Sequence, residues 1–118
     1  MNIHSSKSMA IALCISLTSY LFISPAQAAD FEVSMVIKNH LFEPSVLNVP
    51  ANKRIKLTVQ NLDNTPEEFE SHSMKREKVI PGGAKAVIFL GPLKPGRYEF
   101  MGEFNPTTAK GVVVAEGA

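Results

Sequence analysis

The feature that most restricts this chain is an alternation of apolar and polar residues with a period of two, carried on short segments between turn signals. Phe31, Val33, Met35 and Ile37 alternate with Glu32, Ser34, Val36 and Lys38, and Ile55, Leu57 and Val59 alternate with Arg54, Lys56, Thr58 and Gln60. Successive side chains of a strand point to opposite faces, so such a pattern buries one face and wets the other. Further strands are predicted over 45–49, ended by Pro50, over 67–73 with Phe69 as the buried anchor, and over 84–90, 97–101 and 111–115. Asn61-Leu62-Asp63-Asn64-Thr65-Pro66, Pro81-Gly82-Gly83 and Gly91-Pro92-Leu93-Lys94-Pro95-Gly96 read as turns. No segment carries a helical stripe. Seven to eight short strands at this spacing predict an all-β fold, a Greek-key β-sandwich or barrel.

The N-terminal residues follow a different rule. Met1–Lys7 is polar with one fixed positive charge, Met9–Ile23 is almost uninterruptedly apolar, and Ser24-Pro25 breaks the run before Ala26-Gln27-Ala28. This three-part pattern predicts a Sec-type signal peptide over 1–28, cleaved before Ala29, and therefore export to the periplasm. The apolar run is shorter than the roughly 20 residues of a spanning helix, so no membrane insertion is expected after cleavage. Residues 29–118 then form one small domain. Cys14, the only cysteine, lies in the leader, which leaves the domain without a disulfide or a thiol nucleophile. Lys7 is the only charged residue in the leader, so its loss turns 12 basic and 11 acidic side chains into 11 of each. A neutral chain offers nothing to a nucleic acid. The charges are nevertheless segregated: Glu67, Glu68 and Glu70 crowd one stretch, and Lys75, Arg76 and Lys78 follow it.

Several pieces occur in an order that resembles the cupredoxin fold. An opening strand, Phe42-Glu43-Pro44, Val49-Pro50-Ala51 and the strand running into the Asn61 turn resemble the first half of a cupredoxin. Leu93-Lys94-Pro95-Gly96-Arg97-Tyr98-Glu99-Phe100 resembles its penultimate strand, and Gly111-Val112-Val113-Val114 its last. The resemblance implies a copper site built from a histidine after Thr65-Pro66 and a Cys…His…Met loop between the last two strands. This chain has Glu67 and Gly102 at the histidine and cysteine positions, and Glu103–Lys110 contains neither histidine nor methionine. A trigonal thiolate–imidazole centre needs those ligands, so blue-copper electron transfer is not expected. A narrower resemblance rests on Thr65-Pro66-Glu67-Glu68-Phe69-Glu70-Ser71-His72, Arg76-Glu77-Lys78-Val79-Ile80-Pro81-Gly82-Gly83 and Gly102-Glu103-Phe104-Asn105, which look like the EfeO-type periplasmic cupredoxin-like proteins of bacterial iron-uptake systems. That likeness implies a role in iron acquisition, with an inner-membrane iron permease and a second periplasmic metal-binding protein as partners.

The candidate metal ligands are Glu67, Glu68, Glu70, His72, Glu103 and Met101. On a strand over 67–73, Glu67, Phe69 and Ser71 share one face and Glu68, Glu70 and His72 the other, with Phe69 marking the core side. Carboxylates with an imidazole suit iron, and also zinc, copper(II) or manganese. A second arrangement places Glu67 beside the loop carrying Glu103 at the end of the sandwich, with Met101 and Met74 as soft ligands. A solvated face reads the same way as the Glu68–His72 face. Glu77 between Arg76 and Lys78 reads as a surface ion-pair residue, and His40 as a structural or surface residue. Glu67 is the most telling position, because a carboxylate beside Phe69 needs a partner once buried, for which a metal, Arg97 or Arg76 are the candidates. Three functions follow: a periplasmic protein binding iron or copper ions for iron uptake, a copper-dependent ferroxidase or electron-transfer partner, and a metal-free interaction module.

Overall fold

The computed structural model describes residues 11–22 and 29–117. Most of the expected leader, residues 1–10 and 23–28, lies outside the described residues. Ile11–Phe22 forms neither helix nor strand and exposes its side chains, Cys14 among them. Among the described residues no helix is long and apolar enough to cross a membrane.

Residues 31–116 fold into strands β1 (Phe31–Lys38), β2 (Leu41–Glu43), β3 (Val46–Pro50), β4 (Ile55–Asn61), β5 (Glu67–Ser71), β6 (Arg76–Ile80), β7 (Lys85–Leu90), β8 (Gly96–Gly102) and β9 (Lys110–Glu116). They make two sheets, one in the order β2-β1-β4-β7 and the other β3-β9-β8-β5-β6. β1 pairs with β4, and β3 with β9, in parallel, while the remaining pairs are antiparallel. Parallel neighbours cannot be joined by a hairpin, so the chain alternates between sheets after β2, β3, β4, β6 and β7. The alternation that defines β1 and β4 places Ile37, Ile55, Leu57 and Val59 inside, against Leu47, Phe69, Phe100 and Val113 of the opposite sheet.

The centre of this core is aromatic. Phe69 of β5 stacks on Phe100 of β8 with ring centroids 5.1 Å apart, and Phe42 of β2 meets Phe100 edge-on at 5.1 Å and Phe69 at 6.4 Å. Phe42 comes from one sheet and its two partners from the other, so the trio fixes how the sheets are apposed. Met74, considered above as a soft ligand, is buried in this same core.

Two strands go beyond the sequence expectation. β2 follows a two-residue turn, Asn39-His40, in which both residues have positive φ (52° and 58°). Asp63 accepts hydrogen bonds from both turn amides, at 2.8 and 3.0 Å, so the β1–β2 turn is held from the neighbouring β4–β5 connection. β6 escapes a period-two reading because it is an edge strand in which only Ile80 is buried.

Asn61 sets the geometry at the same end. Fully buried, it donates from Nδ2 to the carbonyls of Thr65 (2.9 Å) and Ile80 (3.1 Å) and accepts from the Asp63 amide (3.0 Å). The turn between β4 and β5 is thereby closed on itself and tied to the end of β6, which delivers Glu67 to the inner face of the sandwich.

Removing one fully buried ring of the trio tests this packing. Phe69→Ala is expected to lower unfolding free energy by about 3–5 kcal/mol, a large share of the roughly 5–15 kcal/mol typical of a whole domain. Urea unfolding followed by circular dichroism measures it, and a loss below about 1 kcal/mol would contradict a core centred on these rings.

Candidate metal centre

β5 carries two different surfaces. Glu67, Phe69 and Ser71 are buried, while Glu68 and Glu70 lie on the outer face. On β8, beside it, Phe100 and Gly102 are buried and Met101 faces outward, directly opposite Glu70 in the register. The pairing runs on past Gly102: the Glu103 amide donates to the Glu68 carbonyl at 2.9 Å, which brings Glu103 alongside Glu68. Glu68, Glu70 and Glu103 each then offer a carboxylate oxygen, and these oxygens lie within 4.8 Å of one another. His72, just past the end of β5 and well exposed, places Nε2 3.5 Å from Glu70 Oε1. A groove of about 540 Å³ continues from this cluster, lined by Glu70, His72, Glu99, Met101 and Lys110 among others.

Like charges at this spacing disfavour joint ionisation. The Glu70 carboxyl is held above its ordinary range by a hydrogen bond with Glu103, then by partial loss of water and the Glu103 charge, with His72 pulling the other way. Glu68 is raised by loss of water first and by Glu103 and Glu77 next. Glu77 pairs with Glu70 across the β5–β6 ladder and belongs to the same acidic face. This corrects its expected role as a surface ion-pair residue. Arg76 and Lys78 are its neighbours along a strand and project to the opposite face, and Arg76 donates instead to the carbonyls of Phe89 (2.9 Å) and Lys75 (3.0 Å).

Five of the six sequence-derived ligands, Glu68, Glu70, His72, Glu103 and Met101, therefore gather on one outer face. Glu67 does not join them. It is 1% exposed on the inner side of β5. Its Oε1 accepts from the amides of Glu68 and Phe104, both at 3.0 Å, and its Oε2 accepts from Asn105 Nδ2 at 2.7 Å. Neither Arg97 nor Arg76 is its partner. The arrangement that grouped Glu67 with Glu103 is split by the strand itself: Phe104 turns its amide inward to Glu67, while the Glu103 carboxylate joins Glu68 and Glu70 outside. Asn105 stands in the sequence only as the last residue of the Gly102–Asn105 likeness, with no ligand or partner role expected of it. His40 sits in the β1–β2 turn with Nδ1 3.6 Å from Asp63.

Residues 8–115 match the family model for the cupredoxin-like domain. The chain belongs to the cupredoxin-like family. Uncharacterized protein RP394 of Rickettsia prowazekii (strain Madrid E) is 38% identical over 119 residues, covering 95% of each chain. Among solved structures, auracyanin A, a "blue" copper protein from Chloroflexus aurantiacus, superposes with a TM-score of 0.65 at 10% identity over 75% of this chain and 100% of that one. The metal-binding domain of the Cu(I)-exporting P-type ATPase CopA of Streptococcus pneumoniae D39 superposes with a TM-score of 0.61 at 16% identity over 72% and 84%. At these identities the structural likeness establishes the fold.

The residues at the usual cupredoxin copper position do not fit that metal. Thiolate and imidazole ligands are missing, and the space is filled by protein. A Cβ placed on Gly102 would lie 2.5 Å from Glu67 Cδ and 2.6 Å from the Ala109 Cβ, so no cysteine side chain fits while Glu67 stays where it is. Any metal chemistry of this cupredoxin-like domain has to be sought away from this position.

The raised carboxyls make a signed prediction. Because Glu70 and Glu68 hold protons more tightly folded than unfolded, their deprotonation costs stability as pH rises through the raised values, and that cost disappears toward and below the ordinary glutamate value of 4.5. In chelator-treated protein, Glu70→Gln should therefore melt above wild type at pH 7–8, and the gap should close as pH falls toward 4.5. Melting curves across that range measure it. A wild type more stable than Glu70→Gln at neutral pH would show that the three carboxylates do not repel.

Proposed function

We propose that this chain is a periplasmic metal-binding protein that carries iron on the outer face of β5 and β8, through Glu68, Glu70 and Glu103 with His72 beside them. The observation that carries the reading is the convergence of three carboxylates from two chain segments within 4.8 Å. Oxygen-rich sites suit hard ferric iron, and His72 extends the set toward ferrous iron. The cost of crowding these charges is offset when a cation binds between them. The export pattern over 1–28 and the likeness of Thr65–Gly83 to EfeO-type proteins support a place in iron uptake, passing the ion to an inner-membrane permease in company with a second periplasmic metal-binding protein.

A copper-dependent ferroxidase is the second reading. It is favoured by Met101, which pairs with Glu70 in the strand register and lines the same groove as His72. The solved neighbours named for copper show that this fold accommodates that ion elsewhere in the superfamily. A single copper would move one electron per turnover and would pass it to an acceptor. Oxygen uptake during Fe(II) oxidation by copper-loaded protein separates this reading from simple carriage.

Calorimetric titration of the chelator-treated protein with Fe(II), Fe(III), Cu(II) and Zn(II) tests the carrier reading. Binding tighter than about millimolar is expected, weakened roughly tenfold or more by Glu70→Gln or Glu68→Gln. Glu32→Gln, an exposed residue of the opposite sheet, serves as the unaffected control. Absence of binding to every ion would leave the acidic face as the docking surface of a metal-free module.

A further inference from the structure

We propose that the Glu67 carboxylate has taken over the structural task of the metal: it is an internal clasp that closes the β8–β9 loop onto β5 without any ion. A buried carboxylate without compensation costs several kcal/mol, so its partners reveal what it is for. Among the described residues no ion pair reaches Glu67; the pairs present are His40–Asp63, Arg54–Asp30, Lys56–Glu32 and His72–Glu70. All three of its partners are donors, two main-chain amides and the Asn105 amide group. That is the acceptor-only pattern an ionised carboxylate offers. It connects the start of β5 to residues 104 and 105 across 38 positions of sequence, the connection that ligands on both segments would make through a shared ion.

Glu67 and Gly102 form one device. The Glu67 carboxyl carbon and the Ala109 Cβ both crowd the space in which a side chain at position 102 would begin, so the clasp and the loop it holds each require the glycine. The loop is built to match. The amide of Gly102 donates to the Ala109 carbonyl at 2.8 Å, and those of Asn105 and Ala109 close turns onto Gly102 and Asn105 at 3.1 and 2.9 Å. The Phe104 and Asn105 donors are thus presented to Glu67 by a loop that folds on its own hydrogen bonds. Glu103 lies between Gly102 and these donors, so the clasp also holds Glu103 against Glu68. Glu67 is then a positioning residue for the outer cluster, a consequence that rests on the carrier reading above, whereas the clasp itself does not.

Amide exchange followed by NMR on the chelator-treated full chain tests the clasp. The Phe104 amide should be protected in the complete absence of metal. Glu67→Gln should lower that protection roughly tenfold or more, while amides of Leu57 and Val113 keep theirs. Gly102→Ala should reproduce the loss from the other side, because the added Cβ would displace the Glu67 carboxyl group. An unprotected Phe104 amide in chelator-treated wild type that becomes protected when Cu(II) or Zn(II) is added would overturn the clasp in favour of a metal at the sandwich end. A Gly102→Ala variant with full Phe104 protection would overturn it as well. The wild-type measurement stands even where a variant fails to fold. Failure of cation binding with Phe104 protection intact defeats the carrier reading alone.

Discussion

A carboxylate sealed from water inside a β-sandwich is stable only if its lone pairs are filled from within, and this requirement organises one whole end of the molecule. Glu67 needs three donors and obtains them from its own strand and from the β8–β9 loop. To reach them it needs Gly102 to have no side chain. To be delivered there at all it needs the β4–β5 turn to be fixed, which Asn61 does with three hydrogen bonds of its own. The same turn supplies Asp63, which holds the β1–β2 hairpin. Glu67 and the Asn61 turn that delivers it thus hold three connections of the fold, β8–β9, β4–β5 and β1–β2. In cupredoxins with copper that end is tied by metal–ligand bonds; here it is tied by neutral amides around an anion.

The period of two along β5 turns this internal constraint into an external surface. Every residue that faces inward sends its neighbours outward, so holding Glu67 and Phe69 inside obliges Glu68 and Glu70 to face solvent. β6 adds Glu77 and the extension of β8 adds Glu103, and the face becomes acidic because strands from both sides contribute carboxylates to it. Crowding raises the proton affinity of Glu68 and Glu70. A cation and a proton then compete for the same oxygens, so cargo carried here would be released by acid and retained at neutral pH.

Much of this was legible in the residues, and the misses have physical causes. Alternation marked β1, β4 and β5 because each has one wet and one dry face. It also placed Glu67 on the core side with Phe69. β6 could not be read that way, since an edge strand exposed at Arg76 to Val79 has no dry face to alternate with. β2 was hidden because its hairpin turn uses Asn39-His40, a pair whose positive φ angles are stabilised from a distance by Asp63. The absence of cysteine and histidine at the copper position was plain from the sequence, but what replaced them was not. Main-chain amides are invisible in a residue pattern, and Asn105 lies 38 positions from the group it satisfies. Glu103 was associated with Glu67 by sequence reasoning; the register past Gly102 sends its side chain to the other face.

We propose that a metal, where this domain holds one, sits on the outer acidic face and not at the interior end of the sandwich. Anomalous X-ray diffraction from crystals soaked with Fe(III) or Cu(II) locates a bound ion directly. A peak is expected among the carboxylates of Glu68, Glu70 and Glu103, with Glu67 still hydrogen-bonded to Phe104 and Asn105. A peak beside Gly102 with Glu67 as a ligand, or no ordered peak on the outer face, would contradict it.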